Sequence, residues 1–94
     1  MDCAEVVFSG HAIRRMFERA LGRDAILETV HTGEVIAEYP DDTPYPSYLL
    51  LGFVSGEPVH VVAAREAATP RWFVVPAYRP DPAEWSDDFR SRRP

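Results

Sequence analysis

The apolar residues of this 94-residue chain change their period once, at Gly33, and that change limits the folds open to it. Before Gly33 the repeat is helical. Ile13, Met16, Phe17, Ala20 and Leu21 recur at i, i+3, i+4, i+7 and i+8, which predicts one apolar helix face over about residues 10–20. Ser9 is placed to cap that helix, and Phe8 and Ile13 have the spacing of a hydrophobic staple across its first turn. Arg14 and Glu18 are spaced as an ordinary i,i+4 pair. Gly22 ends the first helix and serves as N-cap of a second over about 23–32, where Ala25, Ile26, Leu27 and Val30 give a weaker face and Gly33 the stop.

Beyond Gly33 the pattern is that of strands separated by turn residues. Residues 5–8 are a short extended lead-in, and strands are predicted over 34–39, 48–54, 59–65 and 72–78. The proline- and aspartate-rich stretch 40–46 is a loop, Ser55–Gly56 a hairpin turn, and 67–70 a further turn. The apolar run Tyr48–Val54 reads as a strand buried on both faces, and Pro76 requires an edge position or a bulge in the last strand. The expected fold is α+β, with two N-terminal helices on one face of an antiparallel sheet of about four strands. One domain spans 1–94, its extended tail over 79–94 docked by Trp85 and Phe89, with 91–94 frayed. The face of the sheet away from the helices is expected to be open.

Charge is unevenly spread. The chain carries a formal net charge of −5, which argues against a broadly basic nucleic-acid binder. Residues 9–23, however, hold four arginines against one glutamate, whereas 24–42 hold six acidic residues and no base. A polyanion would be met by the first helix, with help from the five arginines after residue 70. Cys3 is the only cysteine, which excludes an internal disulfide, and no apolar run approaches the roughly 20 residues of a membrane span. The N-terminus lacks the basic and apolar regions of a signal peptide, and a cytoplasmic protein is expected.

Two groups of side chains could carry chemistry. On the first helix His11, Arg15 and Arg19 follow one another at i+4 and form a polar ridge suited to a phosphate, or simply a solvated face. On the strands, His60 and Tyr78 fall on one side of the sheet if the third and fourth strands pair, with Trp72, Val74, Pro76 and Tyr78 sharing a face. There they would serve acid/base work, or packing by a hydrogen-bonded histidine and a half-buried tyrosine. His31 suits the C-terminal dipole of the second helix. His11, His31, His60 and Cys3 lack metal-ligand spacing, and no glycine-rich phosphate loop, CxxC pair or serine-nucleophile signature is present. No cofactor is expected.

The order Phe8-Ser-x-His-Ala-x-x-Arg-Met-x-x-Arg19, then Thr32-Gly-Glu-Val-Ile36, Tyr39-Pro40, Leu50-x-Gly52, Val59-His-Val-Val62, Tyr78-x-Pro-Asp81 and Trp85 resembles bacterial domain-of-unknown-function family 4258 over nearly the whole chain. That family is similar to small ribonuclease toxins of the RelE and MqsR kind, and members often sit beside a zinc-finger antitoxin. The resemblance implies a compact RelE-like α+β fold, metal-independent RNA cleavage and a cognate antitoxin protein as partner. The family's recurring polar positions fall on His11, Arg15, Arg19, His60 and Tyr78. Three positions depart from its pattern: Pro76 stands where threonine is usual, Ala20 where glycine is usual, and Gly22 where serine caps the second helix.

These expectations combine into a toxin-like endoribonuclease, in which a base frees the RNA 2′-hydroxyl to attack the adjacent phosphate and an acid protonates the leaving 5′-oxygen. His60 is assigned to proton transfer, Tyr78 to a second proton donor, and Arg15 and Arg19 to the phosphate. His11, in the first helical turn, suits a neutral hydrogen-bonding role. The alternative is a non-catalytic module on the same scaffold that engages a protein or RNA. A small-molecule enzyme using the same His and Tyr is a third reading with no substrate suggested by the sequence.

Overall fold

The computed structural model describes residues 5–66 and 71–93; Cys3, the turn expected at 67–70 and Pro94 lie outside them. The chain runs β1 (Glu5–Phe8), α1 (Gly10–Glu18), α2 (Arg23–Thr32), β2 (Glu34–Tyr39), β3 (Ser47–Val54), β4 (Glu57–Glu66) and β5 (Arg71–Tyr78). The change of period at Gly33 does divide helices from strands. The sheet, however, has five strands in the order β1-β5-β4-β3-β2 and is mixed, because the lead-in pairs in parallel with β5 from Glu5↔Arg71 to Phe8↔Val74. A four-residue segment carries no periodicity that would reveal a partner at the far end of the chain, so the expected four-stranded antiparallel sheet is corrected here. The two helices carry the chain across one face, α1 over β5 and α2 over β3 and β4.

Local chemistry accounts for the helix limits. Ser9, extended at φ −69° and ψ 161°, accepts the Ala12 N–H at 3.0 Å and opens α1. At the other end Ala20 sits at φ 53°, while Leu21 N–H donates to Met16 O at 2.9 Å and Ala20 N–H to Phe17 O at 3.2 Å. These two bonds make a Schellman stop with alanine at the left-handed position that glycine favours. Gly22, extended, opens α2, and Gly33 closes it. Over Gly52 the two layers touch: a Cβ there would lie 2.6 Å from Thr29 Oγ1.

The core between the layers contains Ala12, Met16, Leu21, Ile26 and Val30 from the helices and Leu50, Val59, Val61, Ala63, Trp72, Val74 and Ala77 from the sheet. The stripe expected on α1 is therefore rotated. Ala12, Met16 and Leu21 are buried, whereas Ile13 is 55% exposed and Phe17 88% exposed. Glu18 pairs with Arg15 at 3.4 Å rather than with Arg14.

One irregularity in β5 decides which side chains share a face. The β4–β5 ladder sets Val61 against Ala77 and Ala63 against Val74, so Val62 faces two residues, 75 and 76. This is a β-bulge, and it places Pro76 where the ladder needs no donor although β5 is internal to the sheet. The bulge inverts the alternation: Trp72, Val74 and Ala77 face the helices, and Tyr78 faces away. Trp72 and Val74 therefore do not share a face with Tyr78, contrary to the simple period-two expectation.

The candidate functional site

The ridge on α1 borders a cleft. His11, Arg15 and Arg19, one helical turn apart, line a space of ≈ 290 Å³ together with Pro76. The pairing of β1 with β5 ends at Val74, which leaves the upper edge of β5 beside α1. Arg19 crosses to that edge and donates from Nη1 to Ala77 O at 2.8 Å. In return Arg79 donates from Nη1 to Arg19 O at 2.7 Å and from Nη2 to Ala20 O at 3.2 Å, capping the last carbonyls of α1. His11, Arg15 and Arg19 are exposed. The cleft is thus flanked by two guanidinium groups and one imidazole, a set that can take a phosphate or a carboxylate by charge-assisted hydrogen bonds.

His60 and Tyr78 stand opposite one another in the ladder and lie on the other face of the sheet. Their rings meet edge to face with centroids 5.3 Å apart. His60 is fully buried, because the chain after β5 folds back over it. Its Nε2 is 2.9 Å from Phe89 O, and a carbonyl only accepts, so Nε2 carries the proton. In the neutral ring Nδ1 then accepts from the Tyr78 hydroxyl at 3.3 Å. Burial is the main cause that moves the His60 pKa below its usual value of 6.5, outweighing the Phe89 hydrogen bond, and burial likewise raises that of Tyr78 above 10.0. Both groups are held neutral.

The tail forms its own closed turn. Trp85 is buried against His60 at a ring separation of 4.4 Å, and Phe89 is left-handed at φ 60°. Ser86 Oγ and Arg90 N–H both donate to Asp88 Oδ1, and Arg92 lies over the Trp85 ring. Arg90 makes three hydrogen bonds to Glu34 at the start of β2, at 3.1, 2.9 and 2.8 Å, and this pairing is the main cause that lowers the Glu34 pKa. The tail is docked by Trp85 as expected, but Phe89 contributes its carbonyl to His60. The expected fraying fails at 92–93, since Trp85 bridges Arg92 and Arg93 N–H donates to Glu84 O at 2.8 Å.

Two expectations about the site therefore separate. The helix ridge comes together at one cleft, and so does the His60–Tyr78 pair, but the sheet stands between them. The face expected to be open is covered at His60 by the tail. Sequence reasoning missed Arg79; its place directly after the last strand gave a weak signal, since an arginine there can reach a neighbouring helix end. It also left unassigned an apolar hollow of ≈ 520 Å³ lined by Asp42, Pro44, Tyr45, Ser47 and Phe73, where Tyr45 and Phe73 stack with centroids 5.6 Å apart. Among the described residues no three His, Cys, Asp or Glu side chains are grouped to hold a metal, and no helix is long and apolar enough to cross a membrane.

The fold and cleft define a small two-layer α+β domain with a cationic helix edge. The chain belongs to the family described as domain of unknown function (DUF4258), which it matches over residues 8–79. No curated protein and no solved structure matches the chain significantly. The match begins at Phe8, beside the cap of α1, and ends at Arg79, the residue that holds the other end of that helix; the tail over His60 lies beyond it.

Proposed function

We propose that the protein is a toxin-like, metal-independent endoribonuclease that engages RNA phosphates at the α1 cleft. The observation that carries this reading is the convergence of His11, Arg15 and Arg19 on one cleft beside Pro76. Arg15 and Arg19 bind the scissile phosphate and stabilise the charge that builds on it as the 2′-hydroxyl attacks. His11 is the one imidazole bordering the cleft, so it receives the proton of the 2′-hydroxyl and returns one to the leaving 5′-oxygen. This reassigns proton transfer from His60. With the tail in place His60 is buried, and half-buried Tyr78 is hydrogen-bonded to its Nδ1, so the two act as a packing pair. RNA and a cognate antitoxin protein are the partners this reading calls for. Exposed Ile13 and Phe17 on the same helix are an apolar patch of the kind a protein partner covers.

The test is cleavage of a single-stranded RNA by the purified full chain, with a chelator present, for wild type, His11→Ala and Arg15→Gln. The reading expects cleavage by wild type, loss of two orders of magnitude or more in the His11 variant, on the scale of general acid–base catalysis, and weaker RNA binding in the Arg15 variant. Unchanged cleavage in His11→Ala removes that residue from the chemistry.

The burial of His60 favours a second reading, a non-catalytic RNA-binding module, because it leaves the cleft a single imidazole among the described residues. Salt-dependent RNA binding without cleavage, reduced by Arg15→Gln, selects it.

A further inference from the structure

We infer that Arg79 is a positioning residue for the α1 cleft, one that sets Arg19 and through it the helix edge that meets phosphate. The inference rests on the reading of that cleft as an RNA-phosphate site. Arg79 itself holds backbone at that helix end. Its Nη1 and Nη2 hold the carbonyls of Arg19 and Ala20, and its Nε lies 3.5 Å from Glu57 Oε2. Its fork is turned onto these two carbonyls, and Arg79 is not among the residues that line the cleft. Arg19, by contrast, spends Nη1 on Ala77 O, and no other contact among the described residues takes its Nε or Nη2. The backbone of Arg19 is thus pinned by Arg79 while its side chain is pinned beside the cleft, and the two bonds run in opposite directions between the same two elements.

The geometry explains why such a pin is needed. The helix has nine residues, and it ends at an alanine in the left-handed region, a conformation that costs an L-residue roughly 1–2 kcal/mol. Its outer flank is exposed among the described residues, with Ile13 and Phe17 facing solvent. Freed from Arg79, the carbonyls of Arg19 and Ala20 are left to water, and the turn they form keeps only the burial of Met16 and Leu21 and the Arg19–Ala77 bond to hold it over β5. The three cleft side chains lie on consecutive turns, so a shift of the helix end moves all of them relative to Pro76.

Charge and positioning are separable here. Arg79→Lys keeps the positive charge, but an ammonium lacks the planar fork that reaches both carbonyls. The experiment compares wild type, Arg79→Lys, Arg79→Gln and Arg15→Gln as full chains. It records single-stranded RNA affinity, the amide spectrum as a check on folding, and the NMR signal of the Arg19 guanidinium. A positioning role predicts that both Arg79 variants keep the amide spectrum, lose affinity by roughly tenfold, the scale of one charge-assisted contact, and release the Arg19 guanidinium to fast rotation. Wild-type affinity in Arg79→Lys, or an unchanged Arg19 signal in Arg79→Gln, overturns the inference. Arg15→Gln tests the cleft separately: if it alters nothing, the phosphate site is elsewhere, and the Arg19 signal still decides whether Arg79 fixes the helix end.

Discussion

His60 donates its Nε2 proton to the backbone carbonyl of Phe89 at 2.9 Å, and this bond joins the centre of the sheet to the far end of the chain. The residue that most resembled a catalytic base in the sequence is thereby a fastener for the tail. Trp85 against the imidazole ring and Arg90 on Glu34 complete the attachment.

Tail docking should weaken on acidification through His60. Burial holds its pKa below 6.5, so the undocked or unfolded chain binds the extra proton more readily. The contribution to stability is whole above about pH 6.5 and is lost as pH falls from there through the lowered folded-state value. Thermal melts between neutral pH and pH 5 should show a falling midpoint in wild type, and His60→Gln should remove that slope. An equal slope in both chains would assign the effect to other groups.

Replacing His60 by alanine should cost ~2–4 kcal/mol, since it opens a hole beneath Trp85 and leaves the Phe89 carbonyl without its donor. Denaturant melts give the size. Limited proteolysis at Arg90 and Arg92 should show the tail released before the body unfolds.

Ala20→Gly should stabilise the protein. The left-handed backbone at φ 53° suits glycine, and after the entropy that glycine adds to the unfolded chain the gain should be about 0.5–1 kcal/mol, or a rise in Tm of several degrees. Ala20→Val should act in the opposite direction.

Gly52→Ala should destabilise by ~1–3 kcal/mol, because its Cβ would meet Thr29 Oγ1 at 2.6 Å and Cγ2 at 3.0 Å. Thr29→Ala removes both atoms. A double-mutant cycle should therefore return a favourable coupling between the two substitutions; additive losses would mean that α2 shifts to relieve the contact.

Much of this was legible in the sequence where the determinants are local. The caps at Ser9 and Gly22, the stop at Gly33 and the Ser55–Gly56 hairpin follow from residue chemistry within a few positions. The ridge of His11, Arg15 and Arg19 follows from spacing on a helix, whereas His60 and Tyr78 could be placed on one side of the sheet only on condition that their strands pair. What escaped is non-local. The sequence marks Phe17 as apolar, but its position relative to the sheet depends on Ala12 giving a close approach and on Arg19 reaching the Ala77 carbonyl. The parallel partner of β1 lies at the other end of the chain. The tail holds its turn through Ser86 and Asp88 bonding to nearby backbone and to each other, which leaves no periodic trace.

The extra residue at 75–76 acts as a phase switch for everything after it in β5. Substitutions at Pro76 change the local surface beside α1 and leave that phase alone. Loss of one residue at 75–76 would instead remove the bulge and leave a regular ladder, with Ala77 still against Val61 and Tyr78 still against His60. The extra residue and the bulge thus compensate each other, and a one-residue deletion at 75–76 should preserve the pairing of Tyr78 with His60.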